Sequence, residues 1–346
     1  MAGTIAAKVP ISVGAKQAVA TESALGRRVL IAITIVFLTI FVLVPLANVF
    51  NQAFAKGIDG YFSIFFPPQP PHDATLTFSQ KRRFAEGAAQ AARTWNSIGM
   101  TVAVAAIVLP LNILFGLAAA WATTKFNFRG RTLLTALIDL PFSVSPVVAG
   151  LVFILLLGRN GIIGPWATQL VWPDPFSLRW IGFADGFWPL AFARTHTGII
   201  FTPLATVLAT VFVTFPFVAR SLTPLMESQG SDEELAALSL GASGWRTFFK
   251  ITLPNVKWAL LYGVILCMAR AFGEFGAVSV VSGHIDANDT MPLRIEKLWN
   301  EYNNQAAFSV ASVLALVAGF TLVAKTLVEW NAARDAMRTE AGSPKP

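Results

Sequence analysis

The chain has 346 residues, of which 55% are hydrophobic and only 13% are charged, and its formal net charge is +7. This charge is too scarce to cover a soluble protein of this length, and the single cysteine, Cys267, excludes a disulfide scaffold or a cysteine-coordinated metal centre. The basic residues lie between long apolar runs and form no dense stripe, which argues against a nucleic-acid partner and favours a polytopic membrane protein.

Six stretches are apolar and long enough to cross a bilayer as helices, since about 20 residues span its hydrocarbon core. Their apolar character is continuous rather than alternating, so helices are favoured over a barrel. The predicted fold is all-α, with a flexible N-terminus at 1–24, a membrane domain over 25–332 and a tail at 333–346. The predicted spans are about 29–50, 95–122, 132–157, 196–219, 258–282 and 302–329.

Lys and Arg near the ends of the spans indicate the orientation of the chain. A cytoplasmic N-terminus places more of them inside than outside, although the run Lys81, Arg82 and Arg83 on the outer side opposes this bias. Six crossings then return the C-terminus to the cytoplasm. Two long outer segments follow, 51–93 with a short helix from Phe78 to Ala92, and 158–194, which is rich in tryptophan.

The third span combines polar residues with two prolines five positions apart, Pro141 and Pro146. Prolines disrupt helical hydrogen bonding, and irregular backbone within a membrane is tolerated only where protein or water satisfies it. Two interpretations stay open: a kink that lines a water-filled path, or a kink that packs against the second span. Asp139 is expected to cap neighbouring amides or to pair with a basic group.

The loop between the fourth and fifth spans predicts two short helices. Residues 232–234 are acidic and favour a helix N-terminus, which Ser231 can cap. Gly241 supplies a left-handed turn at the end of this helix. A second helix over 245–252 leads through Leu253-Pro254 into the fifth span.

This loop resembles the EAA loop of ATP-binding-cassette (ABC) importer permeases, in which a glycine precedes Ile-x-Leu-Pro at a fixed spacing. Here that spacing is intact, while the Glu-Ala-Ala core is shifted to Glu234-Leu235-Ala236-Ala237. In that family the short helix docks on a cytoplasmic ATPase, so the resemblance implies a coupling loop at 220–257. The residues implied in ATPase coupling are Glu234, Ala236, Ala237, Gly241, Ile251, Leu253 and Pro254.

The chain has no G-x4-G-K-[ST] motif, so the ATPase that the resemblance implies is a separate subunit. ATP and Mg would be bound by that partner. No catalytic residue, metal site or cofactor is expected in this chain, which is interpreted as a non-catalytic membrane subunit.

A segment from Ala269 to Ile285 resembles the oxyanion-importing permeases for sulfate and molybdate. Three further segments, which begin at Ile138, Asn160 and Phe212, resemble the W-type permease subunits of sulfate/thiosulfate ABC importers, and the resemblance extends over about residues 25–330. It implies a type I ABC importer permease fold, a bacterial inner-membrane location and sulfate or thiosulfate import. The outer segments 61–94 and 172–195 are longer than the family pattern.

The resemblance also implies an assembly. A homologous T-type permease would complete the pore in the lipid bilayer, two ATP-binding subunits would lie below it, and a periplasmic sulfate/thiosulfate-binding protein would deliver the cargo.

Arg270 and Glu274 lie within the fifth span, where each charge is costly, so they must face protein or water rather than lipid. They are interpreted either as a structural ion pair or as residues of the anion pathway. Ser143, Ser145 and Pro146 are the other candidate pathway residues, because hydroxyls and freed N–H groups suit an oxyanion.

Three other functions are alternatives to sulfate import. A permease for another oxyanion, such as molybdate or tungstate, would have similar spans. An ion-coupled secondary transporter would be expected to have inverted repeats and several buried acids, and neither is evident. A membrane-bound enzyme would need a catalytic or metal-binding constellation that the sequence does not offer.

Overall fold

A computed structural model describes residues 24–70, 77–172, 196–283 and 288–342, and the chain divides into two units, up to Asn48 and from Val49 onward. Most of the predicted flexible N-terminus and most of the outer segment 172–195 lie outside the described residues. So do the side chain of His196 and the last four residues of the predicted tail.

The first apolar helix contains one wide turn. Helix α1 (Ala24–Leu38) continues through a π-helical turn, Thr39–Leu43, into α2 (Val44–Ala53). The turn ends two residues before Pro45, which has no N–H for a regular helical bond and whose ring crowds the preceding turn. This continuous helix covers the whole of the predicted first span, and α3 (Gly57–Phe65) follows it.

The second span belongs to one helix, α4 (Phe78–Lys125), of 48 residues. We expected a separate short helix from Phe78 to Ala92, but no breaking residue lies between it and the span, so the two are fused. Thr77 and Gln80 form a capping box at the N-terminus. At 1.5 Å per residue α4 is about 72 Å long, over twice the bilayer core of about 30 Å, so it extends beyond the membrane.

The third span is broken rather than kinked, which corrects the predicted continuous helix over 132–157. Helices α5 (Arg131–Ser143) and α6 (Pro146–Leu157) meet at 111°. Val144 and Ser145 between them are extended, because a residue before proline avoids the helical region and Pro146 begins the new helix. The short helix α7 (Gly164–Ala167) follows.

The fourth span begins seven residues later than predicted. Strands β1 (Val171–Trp172) and β2 (His196–Thr197) form a two-residue antiparallel pair, and helix α8 (Pro203–Gln229) starts only at Pro203. Thr202 before this proline is extended, so the helix cannot begin earlier. At its other end α8 runs past the predicted limit at 219 to Gln229.

The connection from α8 to the fifth span holds two short helices, α9 (Asp232–Ser239) and α10 (Gly244–Thr247). A π-helical turn, Phe248–Thr252, joins α10 to α11 (Leu253–Phe272). The predicted span 258–282 is not one helix: α11 ends at Phe272, and α12 (Gly276–Val281) begins after a break. Glycines on both sides of the break, Gly273 and Gly276, weaken the helix there.

The last helices are α13 (Met291–Asn300) and α14 (Asn304–Gly342). Helix α14 continues past residue 333, where a tail was expected, because residues 331–342 contain good helix formers and no proline. In the part of the chain that the structure describes, five helices are long and apolar enough to cross a membrane, or six if α5 and α6 count as one span.

Small residues and a buried amide hold the second unit together. A side chain at Gly116 of α4 would lie 2.8 Å from Val218 Cβ of α8, so these two helices are in close contact. The Asn112 amide of α4 donates to Thr214 Oγ1 at 2.6 Å and to Cys267 Sγ at 3.2 Å. One polar side chain therefore connects α4, α8 and α11 inside the apolar core.

Candidate functional site

Helix α9 has a well-defined end. The carboxyl-terminal turn is a Schellman motif, in which Ala242 N–H donates to the Ala237 carbonyl at 3.0 Å and Gly241 N–H donates to the Leu238 carbonyl at 2.9 Å. Gly241 has φ +85°, the left-handed conformation predicted for it. Ser231 occupies the N-cap position as predicted, but its side chain makes no capping hydrogen bond.

Glu234 fixes α9 to two other elements. One carboxylate oxygen, Oε1, accepts a hydrogen bond from Thr252 Oγ1 at 2.8 Å, and the other, Oε2, lies 2.7 Å from Lys125 Nζ. Lys125 also donates to the Gly230 carbonyl. The neighbouring Glu233 Oε2 accepts from Asn255 Nδ2 at 2.5 Å. The acidic first turn of α9 therefore holds the helix against the end of α4 and the beginning of α11.

The Ile-x-Leu-Pro segment forms the joint between α10 and α11. Leu253 N–H donates to the Phe248 carbonyl, which closes the π-helical turn, and Pro254 lies in the first turn of α11. This repeats the arrangement at Thr39–Leu43 before Pro45. Ile251 lies within the turn, so the motif makes one continuous helical body of α10 and the fifth span.

The exposed side of this region carries large apolar side chains among charged ones. Ala236 is exposed and Ala237 is half-buried. Trp245 and Phe249 stack on each other with ring centroids 5.9 Å apart. The exposed large apolar residues are Leu235, Leu238, Leu240, Trp245 and Phe249. Exposed large apolar residues grouped on two short helices outside the spans are typical of a protein interface.

Sequence reasoning missed this patch because it sought small residues that fit a groove. The signal was present nevertheless, since Leu235 and Leu238 are three apart on a helix that lies outside the apolar spans.

The second candidate region is the break between α11 and α12. Glu274 is buried, with 1% of its side chain exposed, whereas Arg270 is 32% exposed, and Arg270 Nη2 lies 2.8 Å from Glu274 Oε2. This contact lacks the alignment of a hydrogen bond. The other oxygen, Oε1, accepts from Ala277 N–H at 2.9 Å. Glu274 thus lies after the end of helix α11, although the predicted fifth span included it, and it caps α12 instead.

The two helix breaks are in contact. A side chain at Gly276 would lie 3.0 Å from Pro146 Cβ, so the break before α6 packs against the break before α12. Ser143 and Ser145 are exposed on the same segment of the third span. The structure therefore brings Pro146 beside the Arg270–Glu274 region.

Asp139 pairs with a basic group, one of the two roles expected for it. Its Oδ1 accepts from Arg220 Nε at 2.7 Å, and the Arg220 guanidinium lies 4.5 Å from the centroid of the Phe142 ring. Arg220 was not predicted as a partner, because the two residues are distant in sequence. Among the described residues, no cluster of His, Cys, Asp or Glu has the arrangement of a metal site.

Comparison with known proteins identifies the family. Residues 112–334 match the model of the binding-protein-dependent transport system inner membrane component. The chain belongs to this family. It is therefore a multi-pass inner-membrane component of a binding-protein-dependent transport system, and family membership agrees with a non-catalytic membrane subunit.

Individual relatives cover most of the chain. The sulfate transport system permease protein CysW of Escherichia coli (strain K12) is 41% identical over 307 residues, which are 88% of this chain and 89% of that protein. The sulfate transport system permease protein CysT of the same strain is 35% identical over 216 residues, 62% of this chain and 69% of that protein.

A solved structure supports the fold. One chain of the crystal structure of a bacterial alginate ABC transporter, in complex with an alginate pentasaccharide-bound periplasmic protein, matches with a TM-score of 0.60 at 15% identity. The match covers 90% of this chain and 94% of that one. The predicted all-α, type I ABC importer permease fold is confirmed.

Proposed function

We propose that this chain is a permease subunit of an ATP-driven importer of sulfate or thiosulfate. The observation that carries the proposal is the 41% identity to CysW, which extends over nearly the whole length of both chains. The lower identity to CysT supports the W side of the pair for this chain, with a T-type subunit as its partner in the pore.

The remaining partners follow from the transport class. A separate ATPase, present in two copies, binds ATP and Mg, and a periplasmic binding protein delivers the anion. Both termini of this chain are cytoplasmic, so α9 and α10 face the ATPase. The exposed apolar patch of Leu235, Leu238, Leu240, Trp245 and Phe249 supplies the docking surface, and Ala236 leaves room for close approach.

In this assembly the coupling residues have distinct tasks. Glu234 fixes the docking helix, Gly241 ends it, and Ile251, Leu253 and Pro254 carry its movement into the fifth span. A push on α9 reaches the membrane through the continuous helical body of α10, the π-helical turn and α11.

The anion pathway passes the paired breaks of the third and fifth spans. Arg270 is partly exposed beside a fully buried carboxylate, which suits a residue that attracts a dianion without holding it too tightly. Exposed hydroxyls of Ser143 and Ser145, and backbone N–H groups freed at Pro146, can donate to the passing oxyanion.

Reconstitution tests this proposal. The chain is placed in proteoliposomes with its T-type partner, the ATPase and the binding protein, and uptake of radiolabelled sulfate is measured with and without ATP. We expect ATP-dependent uptake that excess unlabelled thiosulfate inhibits and excess molybdate does not. If molybdate or tungstate inhibits uptake and thiosulfate does not, the substrate is another oxyanion. If an ion gradient drives uptake without ATP, the chain is not part of an ATP-driven importer.

A further inference from the structure

Lys125 joins three elements at one point. It is the last residue of α4, and its ammonium contacts Glu234 Oε2 of α9 at 2.7 Å and the Gly230 carbonyl between α8 and α9. Thr252, the last residue of the π-helical turn before α11, donates to the other oxygen of the same carboxylate. Glu234 is therefore bound on one side to α4 and on the other to the turn that leads into α11.

This ion pair is shielded from solvent. The side chains of Lys125 and Glu234 are 9% and 16% exposed. By contrast, Arg131 and Glu227 nearby are 40% and 53% exposed and lie 3.4 Å apart. Exposed pairs are screened by water and salt, whereas a shielded pair is screened much less. The Lys125 contact is thus the stronger of the two, and removing the lysine would leave a largely buried carboxylate without its counter-charge.

The covalent chain gives α9 no comparable link to α4. Through the backbone, α9 continues toward α11 by way of Gly241, and it joins α8 through Gly230, whose φ of +67° and ψ of −155° suit glycine. Neither route leads to the end of α4, where Lys125 stands. A movement of α9 would reach α11 through the chain. It would reach the end of α4 directly through the Lys125–Glu234 ion pair, whereas the contact between Trp121 of α4 and Phe248 involves the turn after α10 and not α9.

We propose that Lys125 is a positioning residue that makes the second and fifth spans move together when the ATPase pushes on α9. The proposal rests on the proposed function, because it needs an ATPase that acts on this helix. Without Lys125 the movement of α9 reaches α4 only indirectly, through the packing of α4 against α8 and α11.

The test uses the complete reconstituted importer with Lys125→Met, a side chain of similar length without charge. We expect the complex to assemble and to hydrolyse ATP at its basal rate. Stimulation of hydrolysis by the sulfate-loaded binding protein should fall to near none, and sulfate uptake should fall at least tenfold. Lys125→Arg, which keeps the charge, should retain at least half of the uptake. A merely structural residue would lower basal and stimulated rates together.

Arg131→Met is the matched control. Arg131 is the first residue of α5, and its carboxylate partner, Glu227, lies on α8 and not on α9. Uptake in this variant should equal that of the wild type. A second control is the double variant Lys125→Met with Glu234→Gln. If the two residues act through one contact, the double variant loses no more than the worse single variant. Losses that multiply would contradict the proposal.

The outcomes separate this inference from the proposed function. A wild-type complex that takes up no sulfate refutes the proposed function. A wild-type complex that transports, together with a Lys125→Met complex that transports equally well, refutes only the role of Lys125. A Lys125→Met chain that does not assemble also contradicts that role, because the residue would then hold the fold and not transmit movement.

Discussion

At the residue scale, a single left-handed residue decides where α9 ends. Gly241 has φ +85°, and a Cβ there would meet nothing within 4 Å, so a substitution is opposed by backbone strain and not by crowding. This strain costs about 1–2 kcal/mol for a residue with a side chain. The cost falls on the turn that ends α9, the proposed docking helix.

We therefore expect Gly241→Ala to reduce ATP-dependent sulfate uptake severalfold while the chain stays in the membrane. Gly130→Ala is the control, since Gly130 also has a positive φ, of +104°, and open space around it, but precedes α5 and not the docking helix. Both variants carry similar strain, so a defect in Gly241→Ala alone reports on coupling. Equal uptake in the two variants would contradict the coupling role of Gly241.

The Arg270–Glu274 pair is best tested by removing one charge. Exchanging the two charges is less informative, because the arginine of Glu274→Arg could not accept from Ala277 N–H and the cap of α12 would be lost. Glu274→Gln keeps an acceptor for that amide and removes only the charge. Arg270 would then attract sulfate without opposition, and we expect a lower KM for sulfate together with a lower maximal rate, as release becomes slow.

Uptake kinetics of Glu274→Gln measure this shift, with Glu86→Gln as the control. Glu86 pairs with Arg82, also four residues apart, but both side chains are well exposed. The control should leave both constants unchanged. If Glu274→Gln alters neither KM nor the maximal rate, the pair is structural and the pathway does not pass it.

At the scale of elements, the two breaks depend on a close contact between α6 and α12. A Cβ at Gly150 would lie 2.8 Å from the Ala277 carbonyl oxygen and 3.0 Å from Val280 Cβ. Overpacking of this kind costs about 1–3 kcal/mol. We expect Gly150→Val to lower the melting temperature of the purified complex and to reduce uptake.

The control for this contact is Gly319→Val. Gly319 is also within a long apolar helix, α14, but a Cβ there would meet nothing within 4 Å. The melting temperature of the Gly319→Val complex should match that of the wild-type complex within error. A similar loss in both variants would show that the added side chain harms these helices wherever it is placed, and would remove the argument for the α6–α12 contact.

Elements differ in how well the sequence predicts them. The centres of the spans follow from continuous apolar runs, and Gly241 and the prolines mark turns because each restricts its own backbone. The fusion of residues 78–92 with the second span was missed, since nothing but the absence of a breaking residue indicates it. The 111° bend at Val144–Ser145 was also missed, because composition shows that a helix is disturbed but not how far it turns.

At the scale of the whole molecule, the contacts that organise the candidate site join residues far apart in sequence. Sequence spacing cannot predict two of the ion pairs, Lys125–Glu234 and Asp139–Arg220. The first depends on how α4 packs against α9, and the second on how α5 packs against α8. By contrast, Arg270 and Glu274 are four residues apart, and the sequence did predict them as a possible ion pair. It did not predict that helix α11 ends between them.

The orientation of the chain in the membrane remains a prediction, and cysteine labelling tests it. The only native cysteine, Cys267, is buried and accepts from Asn112, so Cys267→Ser keeps an acceptor and gives a cysteine-free background. Ile162, between α6 and α7, is 90% exposed, and Phe128, between α4 and α5, is 42% exposed. With both termini cytoplasmic, a membrane-impermeant maleimide added to intact cells should label Ile162→Cys, and should label Phe128→Cys only after the membrane is opened. Labelling of Phe128→Cys in intact cells would invert the orientation and place α9, with Lys125 and Glu234, on the side that has no ATP.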